Sequence, residues 1–260
     1  MLFLLFGLPA CLQAQIKHDS LHLQLDHIFI MVRGGEANLE KIQNAGLTLA
    51  EKWKTPHKGQ GTTGHFFFFL NFYLEILEIT NINEARQNTI AFGHYYQPRS
   101  SWKNNELCPF AFGFKQGLLK LDTLQIPFPT HKYQATWTGK ESLRMATTNT
   151  NTGEPIIFVE PPSFANQEFE KVVDLDKVAT YNLDAKNYRL NKLNIQKLTS
   201  VKLTLNKKEK NFSTTLKQLQ KIQNMQIMEG KKQLLELIFD NAQQGGVINL
   251  SKELNLIIYY

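Results

Sequence analysis

An order of patterns that returns three times along the chain narrows the folds open to it. Each pass begins with an apolar strand, continues through an amphipathic stretch of helical spacing, and ends in three further strands. The first pass reads LDHIFIMV (25–32), GEANLEKIQNAG (35–46), a short strand near 47–52, then HFFFFL (65–70) and FYLEILEI (72–79). The second reads PFAFGFK (109–115), a helix over QGLLKLDTLQ (116–125), then HKYQATW, LRMATTNT and PIIFVEP. The third reads LTSVKLTL (198–205), the amphipathic NFSTTLKQLQKIQ, then MQIME, KQLLELIF and LNLIIYY.

One curved β-α-β-β-β sheet alone leaves an open edge and an apolar face, so such modules are expected to bury their sheets against one another. The expected fold class is therefore α+β: modules over 24–81 and 107–163 paired into a curved mixed-sheet cup, with a third related module over 198–260 docked against it. Two polar stretches, 86–106 and the linker 164–197, are expected to be irregular and to lie across the surface or cap the barrel. The apolar run HFFFFLNFYLEILEIT is broken by Asn71, Glu75 and Glu78, which suits adjacent barrel strands better than a membrane span.

A hydrophobic fraction of 42% with 20% charged residues is that of a folded chain. The net charge of +6 comes from scattered lysines, densest at Lys207, Lys208 and Lys210, with no interleaved aromatics. That reads as a solvated basic surface rather than a nucleic-acid platform. Residues 1–14, MLFLLFGLPACLQA, are too short to span a bilayer but suit the apolar core of an export signal, which makes the protein periplasmic or extracellular. Leu8-Pro9-Ala10-Cys11 also looks like a lipoprotein box, and lipidation of Cys11 would give the one route to a membrane. After simple cleavage only Cys108 remains, so no intramolecular disulfide can form.

The stretch HKGQGTTGHFFFFL carries G-x-G-x-x-G at Gly59, Gly61 and Gly64. A dinucleotide turn must open a helix whose N-terminus meets the pyrophosphate, whereas this one runs straight into a strand. The glycines therefore read as a turn at the rim of a β-cup that places His57 and His65 near its mouth. Upstream, His27 shares a face with Phe29 and Met31 by the period of two. Glu75 faces away from Leu74 and Ile76, and a buried carboxylate there needs a partner, either a bound cation or an internal salt bridge. Glu78 has the opposite parity and is expected in solvent, as are His18, His22, His94 and His131. No G-x-S-x-G elbow is present, and Cys108 reads as a buried thiol.

Taken together, LDHIFIMV, HKGQGTTGHFFFF and YLEILEI resemble the glyoxalase-like domains of the vicinal oxygen chelate superfamily, over about residues 25–162. The resemblance implies a cup around a divalent metal, with ligands on the first and last strands of each module. Carried over, these are His27, Glu75 and Glu160, with Glu75 or His65 moving a proton and with His57, Gln60, Gly61 and Thr62 against the substrate. A fourth ligand belongs on PFAFGFK, where no His, Glu or Gln stands. The resemblance thus implies metal-assisted lyase, isomerase or dioxygenase chemistry on a small oxygenated metabolite, while the third module is expected either to pack alongside the cup or to mediate a homodimer. The alternative is a metal-free binding or sequestering cup, which the missing ligand and an apolar lining from Phe67 and Phe69 favour.

Overall fold

The computed structural model describes residues 23–116, 126–180 and 182–260. The expected signal, Cys11, His18, His22 and most of the expected helix over 116–125 lie outside the described residues.

The first module runs β1 (Leu23–Val32), α1 (Glu36–Asn44), β2 (Thr55–His57), β3 (Thr62–Phe68) and β4 (Tyr73–Ile79). Its second strand thus forms later than the expected 47–52, and the glycine turn is confined to four residues because Thr62 already belongs to β3. Helices α2 (Ile82–Phe92), α3 (Tyr96–Arg99) and α4 (Trp102–Asn105) follow. The second module is β5 (Phe110–Gln116), β6 (Thr130–Tyr133), β7 (Leu143–Ala146) and β8 (Ile156–Val159).

These strands form one mixed sheet in the order β2-β3-β4-β1-β5-β8-β7-β6. In each half the first strand is parallel to the last, β1 to β4 and β5 to β8, and the halves meet through the antiparallel pair β1–β5. The sheet curls into a half-barrel, and residues from near its two edges approach: the Trp137 amide donates to the Lys58 carbonyl. Phe29, Met31, Leu77, Tyr133, Met145 and Phe158 pack on the concave face.

The stretch 86–106 is mostly helical rather than irregular. Asn81 caps α2 by accepting from the Asn83 and Glu84 amides, and left-handed Gly93 ends it. This places Tyr96 and His94 in the interior, so His94 is fully buried instead of exposed. Arg99, also fully buried, donates to the carbonyls of His94, Cys108, Glu154, Asn149, Asn151 and Thr152 and ties the helical segment to the second module. The stretch 164–197 likewise contains short helices, α5 (Leu175–Ala179) and α6 (Leu183–Asn187), with a small core of its own around Leu70 and Phe169.

The last region comprises β9 (Leu198–Leu205), α7 (Thr214–Leu219), β10 (Met225–Glu229), β11 (Leu234–Phe239), β12 (Val247–Leu250), α8 (Ser251–Leu254) and β13 (Leu256–Tyr259). It has one strand more than expected, and its order, β10-β9-β11-β13-β12, is not that of the first two modules. Here β9 is parallel to its successor β10, so this is a distinct five-stranded mixed sheet and not a third copy of the unit. It packs on the convex side of the half-barrel. One apolar cluster joins Ile28, Ile30, Phe67, Phe112 and Val159 to Leu203, Leu237, Phe239 and Ile258. Phe67 and Phe69 belong to this interface, with Phe69 and Phe239 ring centres 4.3 Å apart. They do not line the cup. Among the described residues no helix is long and apolar enough to cross a membrane.

Candidate functional site

A cavity of about 350 Å³ opens on the concave face. His27, His57, Gln60, Glu75 and Glu160, five of the residues singled out by sequence, line it together with aromatic side chains. A larger cavity, about 630 Å³, lies between the start of β1 and the β9–β10 edge, but its lining holds no comparable cluster of buried ionisable groups.

His27 reaches the cavity because β1 changes parity. The β1–β5 register shifts between Leu25 and His27, so Asp26 is the extra residue of a bulge. Before it, Leu23 and Leu25 face the convex core; after it, Ile28, Ile30 and Val32 do. The bulge leaves consecutive residues in contact, with His27 Nδ1 3.1 Å from Asp26 Oδ2. The imidazole stacks on Tyr73, its partner in the parallel register, with ring centres 4.3 Å apart and planes inclined by 13°. On the other side His27 pairs with Gly113, where an added Cβ would stand 2.4 Å from His27 Cε1. The strand expected to supply a fourth ligand supplies instead the space that the histidine ring occupies.

Asp26 is fully buried. Its Oδ1 accepts from Lys115 Nζ at 3.0 Å and from the Asn166 amide at 2.9 Å. Burial alone would raise its carboxyl, but the His27 bond and the Lys115 charge outweigh that and hold it below the usual range. Glu160 follows β8 and places Oε1 3.9 Å from His27 Nδ1, while its Oε2 is buried without a hydrogen-bond partner. Burial, then the negative charges of Asp26 and Glu75, push the Glu160 carboxyl well up.

Asp26, His27 and Glu160 each offer a ligand atom, all within 4.8 Å of one another, and could hold a metal ion. The third member of the group is thus Asp26 and not Glu75, as the resemblance implied. The donor set suits a divalent cation: one imidazole and two carboxylates, with Glu160 Oε2 otherwise lacking a partner.

Glu75 lines the same cavity as a separate group. Its neighbours across the sheet are Phe29 and Phe66, and its buried Oε1 has no partner. Burial alone raises its carboxyl to about 8. Gly64 makes room for it, since a Cβ there would lie 2.3 Å from Glu75 Oε1.

The glycine turn divides its residues. His57 enters the cavity, its Nδ1 held by Thr62 Oγ1 at 3.2 Å and its ring 4.6 Å from Trp137. Burial, and secondarily His27, lowers its imidazole to about 4, so it is neutral at pH 7. Gln60 Oε1 accepts from Trp137 Nε1 at 3.0 Å and from the Tyr133 hydroxyl at 3.2 Å. Thr62 acts through His57 and is not part of the lining. Gly61 is a backbone post: its carbonyl accepts from the Thr80 and Asn81 amides, and a Cβ there would lie 2.3 Å from the Asn81 carbonyl oxygen. His65 is absent from the lining, pairing at 3.3 Å with Glu78, which also accepts from the Gly35 amide. Glu78 is therefore engaged rather than solvated.

Sequence reasoning missed Asp26, because strict alternation puts it on the far face from His27. It also missed Tyr73 and Trp137, whose roles depend on how the sheet curls, and took Phe67 rather than Phe66 as lining.

No family model matches the chain, and no curated protein is significantly similar to it. A solved structure described as a hypothetical protein from Staphylococcus aureus is similar to it, with 13% identity and a TM-score of 0.49, over 91% of this chain and 97% of that one.

Proposed function

We propose that the cavity is the active site of a glyoxalase-like protein in which a divalent metal ion assists lyase- or isomerase-type proton transfer on a small oxygenated metabolite. The observation that carries this reading is that one cavity is lined both by His27 and Glu160, which with Asp26 behind them could hold a metal ion, and by the separate carboxyl of Glu75. When bound, the metal would supply Lewis-acid polarisation of a substrate oxygen. Asp26, His27 and Glu160 would hold the ion, with Asp26 Oδ2 and His27 Nδ1 already 3.1 Å apart. Glu75, raised to about 8, is poised to take up or release a proton near neutral pH. Gln60 has its oxygen fixed by Trp137 and Tyr133, so its amide NH2 is free to donate to a bound molecule.

The competing reading, a binding cup without metal, draws on Asp26 already having three donors. Proton NMR in heavy water separates the two. Metal-loaded protein should exchange the Cα hydrogen of small α-hydroxy carbonyl compounds, metal-stripped protein should not, and Glu75→Gln should abolish the exchange. Tight binding of such compounds with no exchange in any sample would favour the binding protein.

A further inference from the structure

We infer that Gln60 determines specificity in this cavity: it offers the ligand a donor and no acceptor, a polarity set by Asn88 acting through Tyr133. The ligand must therefore carry an acceptor oxygen, such as a carbonyl, at the end it presents to Gln60. The inference deepens the proposed function and rests on its premise that this cavity is the binding site.

The direction of each hydrogen bond follows from which atoms carry protons. Asn88, buried on α2, spends both protons of Nδ2, one on the Gly59 carbonyl at 3.1 Å and one on the Tyr133 hydroxyl oxygen at 3.0 Å. The Gly59 carbonyl can only accept, so the Asn88 amide cannot be turned over. The Tyr133 oxygen is thus an acceptor toward Asn88, and its one hydrogen is left for Gln60 Oε1, 3.2 Å away. Trp137 Nε1, which can only donate, reaches the same oxygen at 3.0 Å. Gln60 Oε1 therefore holds two donors, and the amide points Nε2 the other way, where it donates to no protein atom among the described residues. Two donors on the oxygen also polarise the amide and strengthen Nε2 as a donor.

Gln60 is also fixed in place. Its backbone amide donates to the His57 carbonyl at 3.0 Å, and its side chain is buried while still lining the cavity. The groups that hold it come from the two ends of the curled sheet: the turn before β3 on one side, β6 and the residues just after it on the other. His27 and Glu160, by contrast, lie on or beside the interior strands β1 and β8. A ligand that reaches both places is read at two separate points. One with an apolar end, or with a donor and no acceptor, leaves the Nε2 protons buried and unpaired, and sites of this kind reject such analogues strongly.

Titration of two isosteric neutral probes into the full chain tests the inference: acetophenone, which carries a carbonyl acceptor, and α-methylstyrene, in which a CH2 group replaces that oxygen. Both suit an aromatic-lined space of about 350 Å³. The readout is the ratio of their affinities, because a loosened cavity weakens both probes alike and leaves the ratio unchanged. Gln60→Met, which keeps the length and loses the donor, should lower the relative affinity for acetophenone at least about fivefold. Gln60→Glu, which still accepts from Trp137 and Tyr133 but turns a second oxygen to the ligand, should do the same. Tyr133→Phe, which removes only the hydroxyl, and Asn88→Ala should each lower it at least about twofold. A smaller change in both Gln60 variants, or no measurable binding of either probe to the wild type, overturns the inference. A ratio unmoved by Tyr133→Phe overturns the part assigned to Asn88 and Tyr133. Metal content measured on the wild-type samples keeps the two readings apart. A preference that depends on Gln60 in protein that takes up no metal would leave this inference standing and the metal-assisted reading refuted. One bound ion per chain with a ratio that Gln60 does not affect would do the reverse.

Discussion

His27 Nδ1 lies 3.1 Å from Oδ2 of Asp26, its neighbour in sequence, because a bulge in β1 brings two consecutive side chains together. Asp26 in turn receives Lys115 Nζ, so one buried carboxylate both orients the histidine and neutralises a buried lysine. Asp26→Asn should cost about 3 kcal/mol, read from the urea midpoint, because Lys115 loses its buried counter-charge. It should also lower metal affinity at least tenfold, because a neutral amide replaces one of the two carboxylates that would hold the ion. Unchanged stability would show that Glu168 alone suffices for Lys115.

Gly113 is the floor beneath the His27 ring. Gly113→Ala puts a methyl group 2.4 Å from Cε1, so the ring must move. The expected cost is about 1–3 kcal/mol of stability, typical of overpacking, with metal affinity falling at least tenfold. Retained affinity in a folded variant would mean that His27 is not positioned by this contact.

The contrast between these neighbours shows what was legible in the chain. His27, Glu75 and Glu160 can be picked out because a charged or ring-nitrogen side chain in an apolar strand has to face something, and a period of two says which way. Asp26 cannot, since no glycine or proline marks the bulge and alternation assigns it to the opposite face. The half-barrel was readable as repeated patterns. The final sheet was not, because similar strand and helix patterns allow β9 to pair with β10 as readily as with a later strand. His94 looked like a surface residue, and its burial depends on how α2 and α3 fold back under the sheet. His65 flanks the turn just as His57 does, yet β3 begins at Thr62 and turns it toward Glu78.

Glu75 gives the protein a pH-dependent weakness. Burial moves its carboxyl from an ordinary 4.5 to about 8, so the folded chain holds this proton more tightly than the unfolded chain does. Below pH 4.5 the group costs nothing. Between pH 4.5 and 8 it removes about 1.4 kcal/mol of stability per pH unit, and above pH 8 the loss levels off. In metal-free protein, Glu75→Gln should therefore be more stabilising at pH 8 than at pH 5, by about 3 kcal/mol. Equal shifts at the two pH values would show that Glu75 ionises freely.

Arg99 gathers six carbonyl oxygens from three separate stretches of chain and is fully buried. Arg99→Met removes the donors and leaves those carbonyls in a dry interior, which should cost about 3–5 kcal/mol. Arg99→Lys should recover only part of that, since an ammonium has three donors and no planar fork. Chemical denaturation of both variants checks the order. A lysine variant as stable as wild type would contradict the clamp.

The most direct measurement is titration of a divalent metal into metal-stripped wild type, His27→Ala and Glu160→Gln, with circular dichroism confirming that each is folded. The account predicts one ion per chain in the wild type and at least tenfold weaker binding in both variants. Sub-stoichiometric binding, or binding that neither substitution alters, would contradict it.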